Sequence, residues 1–311
     1  GRPGPVLIDI TKDAQFEMID FKYKKQDKLR SYNPEPEISN TSIENACELI
    51  NNSKKPFIIF GQGVILANAE QEFKELIEKT GIPSAWTILG LSAIATDHPL
   101  NVGMVGMHGN YGPNVLTNQC DLLIAVGMRF DDRVTGNLNK YAKQAKIIHL
   151  EIDPAEINKN VKVDIAVLGN LKNTLPKILE KVEVKKHEKW LQKFREFNQI
   201  EYDKVIKDDL FPKKEKITMG EVIHQINEVT KGEAIIVSDV GQHQMIACRY
   251  AKFNKTKSNI TSGGLGTMGF ALPAAIGAKM GAPKREVIAV IGDGGFQMTI
   301  QELGTIFQTG V

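Results

Sequence analysis

The sequence predicts an α/β protein, with one parallel-sheet domain in the middle of the chain and the front of a second parallel α/β domain at its end. Three observations carry this. Short, continuous apolar runs alternate with helical patterns, as expected for strands buried on both faces of a sheet. Several of these runs stop at a glycine or an acidic residue, where parallel α/β folds place their ligand loops. The composition, 42% hydrophobic and 24% charged over 311 residues, provides cores of ordinary globular size.

The elements follow in order. Residues 6–10 (VLIDI), after a Pro/Gly cluster, read as a buried strand. Residues 22–40, rich in Lys, Asn and Pro, read as a linker. Thr41, Ser42, Ile43 and Glu44 have capping-box spacing and start a helix running through Ile50. Residues 56–60 form a strand ending in Gly61-Gln62-Gly63, and residues 69–80 an amphipathic helix closed by Gly81. Residues 121–126 (DLLIAV), 146–151 (KIIHLE) and 164–167 complete the strands of this domain. Residues 171–209 are helical and heavily charged. Between 181 and 216 there are eleven basic and eight acidic residues, which read as a solvated connector rather than a nucleic-acid patch. After Pro212 come a helix at 218–229 and strands at 234–239 and 287–291. The expected division is therefore 1–21, the end of a preceding domain; 22–40, a linker; 41–180, the central domain; 181–216, the connector; and 217–311, part of a further domain. The opening on Gly1-Arg2-Pro3-Gly4-Pro5 and the stop just after a helix read as a piece cut from a longer protein.

Charge and cysteine usage exclude some functions. The 39 basic and 37 acidic side chains leave a charge of +2, so neither nucleic acid nor a membrane surface is expected as a partner. Cys47, Cys120 and Cys248 are odd in number and far apart; they read as small buried residues in a reducing cytoplasm, not as disulfides or a zinc site. No apolar run is long enough to cross a bilayer, and no signal peptide is evident.

Three turns carry chemistry, two of them at predicted strand ends. Gly292-Asp293-Gly294-Gly295 lets backbone approach a diphosphate while the carboxylate holds a divalent cation; the alternative is a tight turn whose Asp caps the next helix. Residues 262–269 (SGGLGTMG) precede a helix of small residues, so their N–H groups can face an anion; the alternative is a glycine connector with close helix packing. Asp239-Val240-Gly241-Gln242-His243-Gln244 follows a strand, where the three polar side chains either reach a ligand or simply begin a helix. In the central domain, Gly61-Gln62-Gly63 lacks the third glycine of a dinucleotide fingerprint. Arg129 and Arg133 can clamp a diphosphate, or form surface ion pairs with Asp131 and Asp132. Glu151-Ile152-Asp153 ends a strand where an acid can accept from ribose hydroxyls. His98, His149, His187 and His224 read as packing residues.

Taken together, residues 240–245 (VGQHQM), 261–270 (TSGGLGTMGF), 130–136 (FDDRVTG), Gly106 to Gly109 (GMHG) and the GDG turn at 292–294 resemble the catalytic subunit of the acetolactate synthase (acetohydroxyacid synthase) family, thiamine diphosphate-dependent enzymes. The resemblance runs through nearly the whole chain. It implies the last strand of a pyrimidine-binding domain, a complete central FAD-binding domain and the front of a thiamine diphosphate-binding domain. In that family pyruvate is decarboxylated and joined to a second 2-keto acid, pyruvate or 2-ketobutyrate, toward the branched-chain amino acids. Homodimers or tetramers are implied, with a possible small regulatory subunit.

The resemblance also assigns roles. Arg2, Gly61, Gly63, Thr87, Ile88, Leu89, Met107, His108, Gly109, Gly127, Arg129, Arg133, Glu151, Ile152 and Asp153 would surround FAD. Gly241, Gln242, His243, Gln244, Gly266, Thr267, Met268, Gly292, Gly294 and Gly295 would surround thiamine diphosphate. Asp293 would ligate Mg2+, and Lys12 would line the substrate approach. The family's activating Glu would lie in a preceding domain and its paired Asn beyond Val311, so this stretch alone is expected to be inactive. Ile246 replaces the family's usual Trp and alters the channel lining. Pyruvate oxidase and glyoxylate carboligase share the three-domain plan, but FDDRVTG and VGQHQM favour the synthase. The second glycine-rich domain argues against a plain nucleotide-binding module.

Overall fold

The computed structural model describes residues 4–25, 33–213 and 217–311. After a short helix, α1 (Lys12–Phe16), and α2 (Asn40–Asn52), the chain alternates strands and helices. These are β1 (Pro56–Phe60), α3 (Gln62–Leu66), α4 (Glu70–Thr80), β2 (Ser84–Trp86), β3 (Asn101–Met104), α5 (Tyr111–Leu116), β4 (Leu122–Val126), α6 (Asp132–Thr135), β5 (Lys146–Glu151) and β6 (Ile165–Leu168). The six strands make one sheet in the order β3-β2-β1-β4-β5-β6, and every pairing is parallel. The order reverses between β1 and β4, so the turns after those two strands border a crevice.

Alternation within the apolar runs splits the core between the two faces of this sheet. Ile58, Phe60, Leu122, Ile124 and Val126 pack on one side with Phe73, Leu76 and Ile77 of α4. Phe57, Ile59, Leu123 and Ala125 pack on the other with Trp190, Leu191 and Phe194. The last three belong to α8 (Glu188–Glu201), which follows α7 (Leu171–Lys181). The charged connector is thus half core: Trp190 Nε1–H donates to the Pro56 carbonyl at 2.9 Å, docking α8 at the foot of β1. Its charged residues Glu188, Lys189, Arg195 and Glu196 stay exposed, so the helix is amphipathic rather than solvated all round.

The second unit contains α9 (Lys207–Leu210), α10 (Met219–Thr230), β7 (Ile235–Ser238), α11 (Gln242–Tyr250), β8 (Asn259–Thr261), α12 (Ala271–Gly281), β9 (Val287–Val290), α13 (Asp293–Thr299) and α14 (Glu302–Thr309). Its three strands run parallel in the order β8-β7-β9.

Two expectations need correction. Residues 6–10 are not a strand: they are extended and exposed, Leu7 by 93%, because they have no ladder partner among the described residues. The cap of α2 is Ser39, not Thr41; the Ser39 hydroxyl accepts from Ser42 N–H at 3.2 Å, so the helix begins earlier than the spacing suggested. The three cysteines are buried and free, and burial pushes the Cys120 thiol up to about 12. Among the described residues no helix is long and apolar enough to cross a membrane.

His149 lies buried in β5, its Nε2 2.7 Å from the Met128 carbonyl and its Nδ1 without a partner. Burial lowers its pKa below the ordinary 6.5. The unfolded chain therefore takes up the proton first, so His149's contribution to stability is complete above about pH 6.5 and is lost as pH falls. Denaturant midpoints should drop between about pH 7 and pH 5, less steeply in His149→Gln. Equal slopes in both proteins would refute the assignment.

Candidate functional site

The crevice between β1 and β4 holds a cavity of about 400 Å3. Its floor depends on three glycines. Gly61 N–H donates to the Val126 carbonyl at 3.0 Å and Gly63 N–H to the Gly127 carbonyl at 2.9 Å. A Cβ on Gly61 would lie 2.5 Å from the Gly127 oxygen, and one on Gly63 would lie 2.6 Å from the Gly127 Cα. These glycines therefore let two strand ends touch, leaving the crevice open above them.

Beyond Gly127 the chain turns through Phe130, which adopts a left-handed φ of 51° while its ring is buried 5.0 Å from His149. A bulky residue rarely takes this conformation; here core packing on both sides of the residue holds it there. The turn brings Arg129, Asp131 and Arg133 to the cavity. Arg129 Nη2 and Asp131 Oδ2 are 2.5 Å apart, an exposed pair of small energetic worth. Asp131 also accepts from Arg133 N–H at 3.0 Å and so orders the turn.

Of the residues assigned to FAD, Gly61, Gly63, Thr87, Ile88, Leu89, Gly127, Arg129, Arg133, Glu151 and Ile152 line this cavity. Met107, His108 and Gly109 do not; they occupy the next turn, held by Met107 N–H to the Arg133 carbonyl at 2.8 Å. Burial and the Arg133 charge lower the His108 pKa. Asp153 caps a short turn by accepting from Ala155 N–H at 3.0 Å. The Glu151 carboxylate, expected to meet ribose, accepts from Ile152 and Asp153 N–H at 3.0 and 3.2 Å. Arg2 lies outside the described residues. Lys12 opens α1, a helix that buries no side chain. Sequence reasoning missed Asn170, and also Gly263 and Gly264, which reach the cavity from the second unit. Gly263 sits against Leu89, 2.8 Å from where a Cβ would be. No local pattern announces that contact.

The second cluster lies at the carboxyl ends of β7, β8 and β9. The N-terminus of α12, just after the glycine loop at 262–269, is occupied by an anion of the chain's own. The fully buried Asp239 carboxylate accepts from Gly269, Phe270 and Ala271 N–H at 3.1, 2.9 and 3.3 Å. Those groups begin α12, so the carboxylate offsets its dipole. Gly295 is required beside it: a Cβ there would fall 1.7 Å from Asp239 Oδ2.

His243 is packed between two turns, since a Cβ on Gly241 or on Gly292 would approach its ring to 2.9 Å. Its Nε2 is buried without a partner. The Gln244 amide is already engaged, donating to Thr261 Oγ1 at 2.7 Å and bracing α11 to β8. Ile246 packs against the apolar core. Space beside Gly266 is open, the nearest neighbour of a Cβ being Val240 at 3.8 Å.

Asp293 is the first residue of α13 and is exposed, and the N-cap position before it is Gly292, which has no side chain to cap the helix. Among the described residues no three His, Cys, Asp or Glu side chains converge on one point. A divalent ion here would rely on one carboxylate and on oxygens brought by a ligand, a donor set that suits Mg2+ with a diphosphate. The open glycine turns, the orphaned His243 nitrogen and the uncommitted Asp293 carboxylate fit that pair.

Residues 43–178 match the family described as thiamine pyrophosphate enzyme, central domain. Residues 239–311 match its C-terminal TPP binding domain. The chain belongs to the thiamine pyrophosphate enzyme family. Within it, the chain is 42% identical to the acetolactate synthase large subunit of Buchnera aphidicola subsp. Schlechtendalia chinensis, over 99% of this chain and 54% of that protein. It is 44% identical to the probable acetolactate synthase large subunit of Methanocaldococcus jannaschii, over 98% of this chain and 53% of that protein. To acetolactate synthase isozyme 3 large subunit of Escherichia coli K12 it is 40% identical, over 99% and 54%. The chain spans about half the length of the curated relatives it matches.

Proposed function

We propose that this chain forms the central and thiamine diphosphate-binding part of an acetolactate synthase large subunit. The observation that carries the reading is that the likeness to such subunits is continuous through both α/β units, across the crevice and the Asp293 turn alike. Thiamine diphosphate, when bound, supplies the nucleophilic carbon that removes carbon dioxide from pyruvate and passes the two-carbon unit to a second 2-keto acid. The residues here bind and orient it. Asp293 holds Mg2+ against the diphosphate, the turns at 241–243, 266–268 and 292–295 give the phosphates close approach, and the His243 ring fixes the gap between two of them.

The crevice between β1 and β4 would take FAD, with Arg129 and Arg133 at the cavity wall to offset the charge of its diphosphate. The flavin is bound without net redox chemistry. The working protein is a cytoplasmic homodimer or tetramer with a small regulatory subunit, feeding branched-chain amino-acid synthesis. The complete subunit should form acetolactate from pyruvate only with both thiamine diphosphate and Mg2+ present. No acetolactate under those conditions would overturn the proposal. Flavin binding has its own test. Arg129→Ala and Arg133→Ala should each retain less flavin after desalting, and full retention by both would remove FAD from this cavity.

A further inference from the structure

Helix α11 begins at the turn assigned above to thiamine diphosphate and ends on two residues that grip elements beyond it. Arg249 donates through Nη2 to the Glu201 carboxylate at the end of α8, and through Nη1 to the Gly109 carbonyl at 3.2 Å. Glu201, only 7% exposed, also accepts from Tyr111 N–H at 3.0 Å and from Asn110 Nδ2 at 3.2 Å. The next residue, Tyr250, donates its hydroxyl to the Asp209 carboxylate of α9. Its carbonyl accepts from Asn227 Nδ2 of α10 at 2.8 Å.

Glu201 and Asp209 lie on either side of a π-helical turn, Tyr202–Ile206. Such wide turns are frequent at functional sites, and the two acids that flank this one meet successive residues of α11. At the other end of α11 little slack remains. Met245 N–H closes on the Gly241 carbonyl at 3.2 Å, and the His243 ring is wedged between Gly241 and Gly292.

We infer that Arg249 and Tyr250 are positioning residues: held by Glu201 and Asp209, they set the angle of α11 and with it the thiamine diphosphate turn at 241–244. The inference rests on the reading of that turn given above. A partly buried ion pair of this kind contributes modestly to net stability, but losing one partner leaves the other uncompensated, which suits it to fixing geometry.

Hydrogen exchange on this chain is the first test. In Arg249→Met, residues 240–245 should exchange about tenfold faster while Ile236 and Val237 of β7 are unchanged. Acceleration confined to 246–253 and 106–111 would show a merely local contact and overturn the inference. If Arg249→Met also loosens β7, Tyr250→Phe decides, because it keeps the ring and loses only the Asp209 bond. About threefold faster exchange at 240–245 supports the inference, and no change overturns it. Calorimetry on the complete subunit is the second test. Arg249→Met should weaken thiamine diphosphate binding in the presence of Mg2+ by about tenfold with flavin content unaltered. An unchanged affinity overturns the positioning role alone. A wild-type subunit that binds no thiamine diphosphate overturns the underlying reading of the site and the positioning role with it.

Discussion

Asp293→Asn is expected to weaken Mg2+-dependent thiamine diphosphate binding in the complete subunit by about a hundredfold or more, since even groups behind a metal's ligands cost about 10–100-fold when lost. The size of the effect follows from the surroundings of the residue. Asp293 stands exposed at the start of α13, and no group of three or more His, Cys, Asp or Glu side chains converges on one point among the described residues. A small hard cation that keeps most of its water commonly takes only one or two carboxylates besides the phosphate oxygens. Replacing this carboxylate by a neutral amide removes the charge and keeps the shape. Flavin binding in the crevice between β1 and β4 should not change, because none of the lining residues is altered. Calorimetry with thiamine diphosphate at several Mg2+ concentrations reads the first effect and flavin absorbance the second. Equal cofactor affinity in wild type and variant would place the metal elsewhere.

Asp239→Ala should strip the second unit of its most consequential polar contact. Three N–H groups, from Gly269, Phe270 and Ala271, would lose their acceptor, two of them in buried bonds and the third in a part-buried one. At about 1–3 kcal/mol for each buried group left unpaired, the loss to the unit is on the order of 4 kcal/mol. Asp239→Asn keeps one oxygen acceptor and should cost less than half as much. The difference is read by hydrogen exchange at Ile236 and Val237 in β7, which opens only when the unit does. Similar protection in wild type and Asp239→Ala would mean that the glycine loop holds its shape without the carboxylate.

The strands that form one continuous apolar run were legible in the sequence because burial on both faces leaves no polar interruption. β1 and β4 are of this kind, while β5 and β7 stayed legible because an apolar stretch remains beside Lys146, His149, Glu151 and Ser238. β2 (SAW) and β3 (NVGM) were not, being three and four residues long with polar or glycine positions. They are strands because β1 offers a parallel edge, with Ile58 paired to Ser84 and β2 then paired to β3. The failed strand at 6–10 is the converse case, an apolar run with no edge to join.

By itself the sequence determined the parallel α/β class, the glycine turns at strand ends and the candidate carboxylate Asp293, since these are written in residues a few positions apart. The tertiary structure alone decided the rest. It placed the reversal of strand order between β1 and β4, where the cavity opens. It brought Gly263 against Leu89, so that one unit helps wall the crevice of the other. It turned Asp239 inward onto the N–H groups that begin α12, and it joined Arg249 to Glu201 across 48 positions of sequence. Each of these depends on how distant backbones meet, and the physical reason is packing: close approach and shared hydrogen bonds are properties of pairs of elements, which no single stretch of chain encodes.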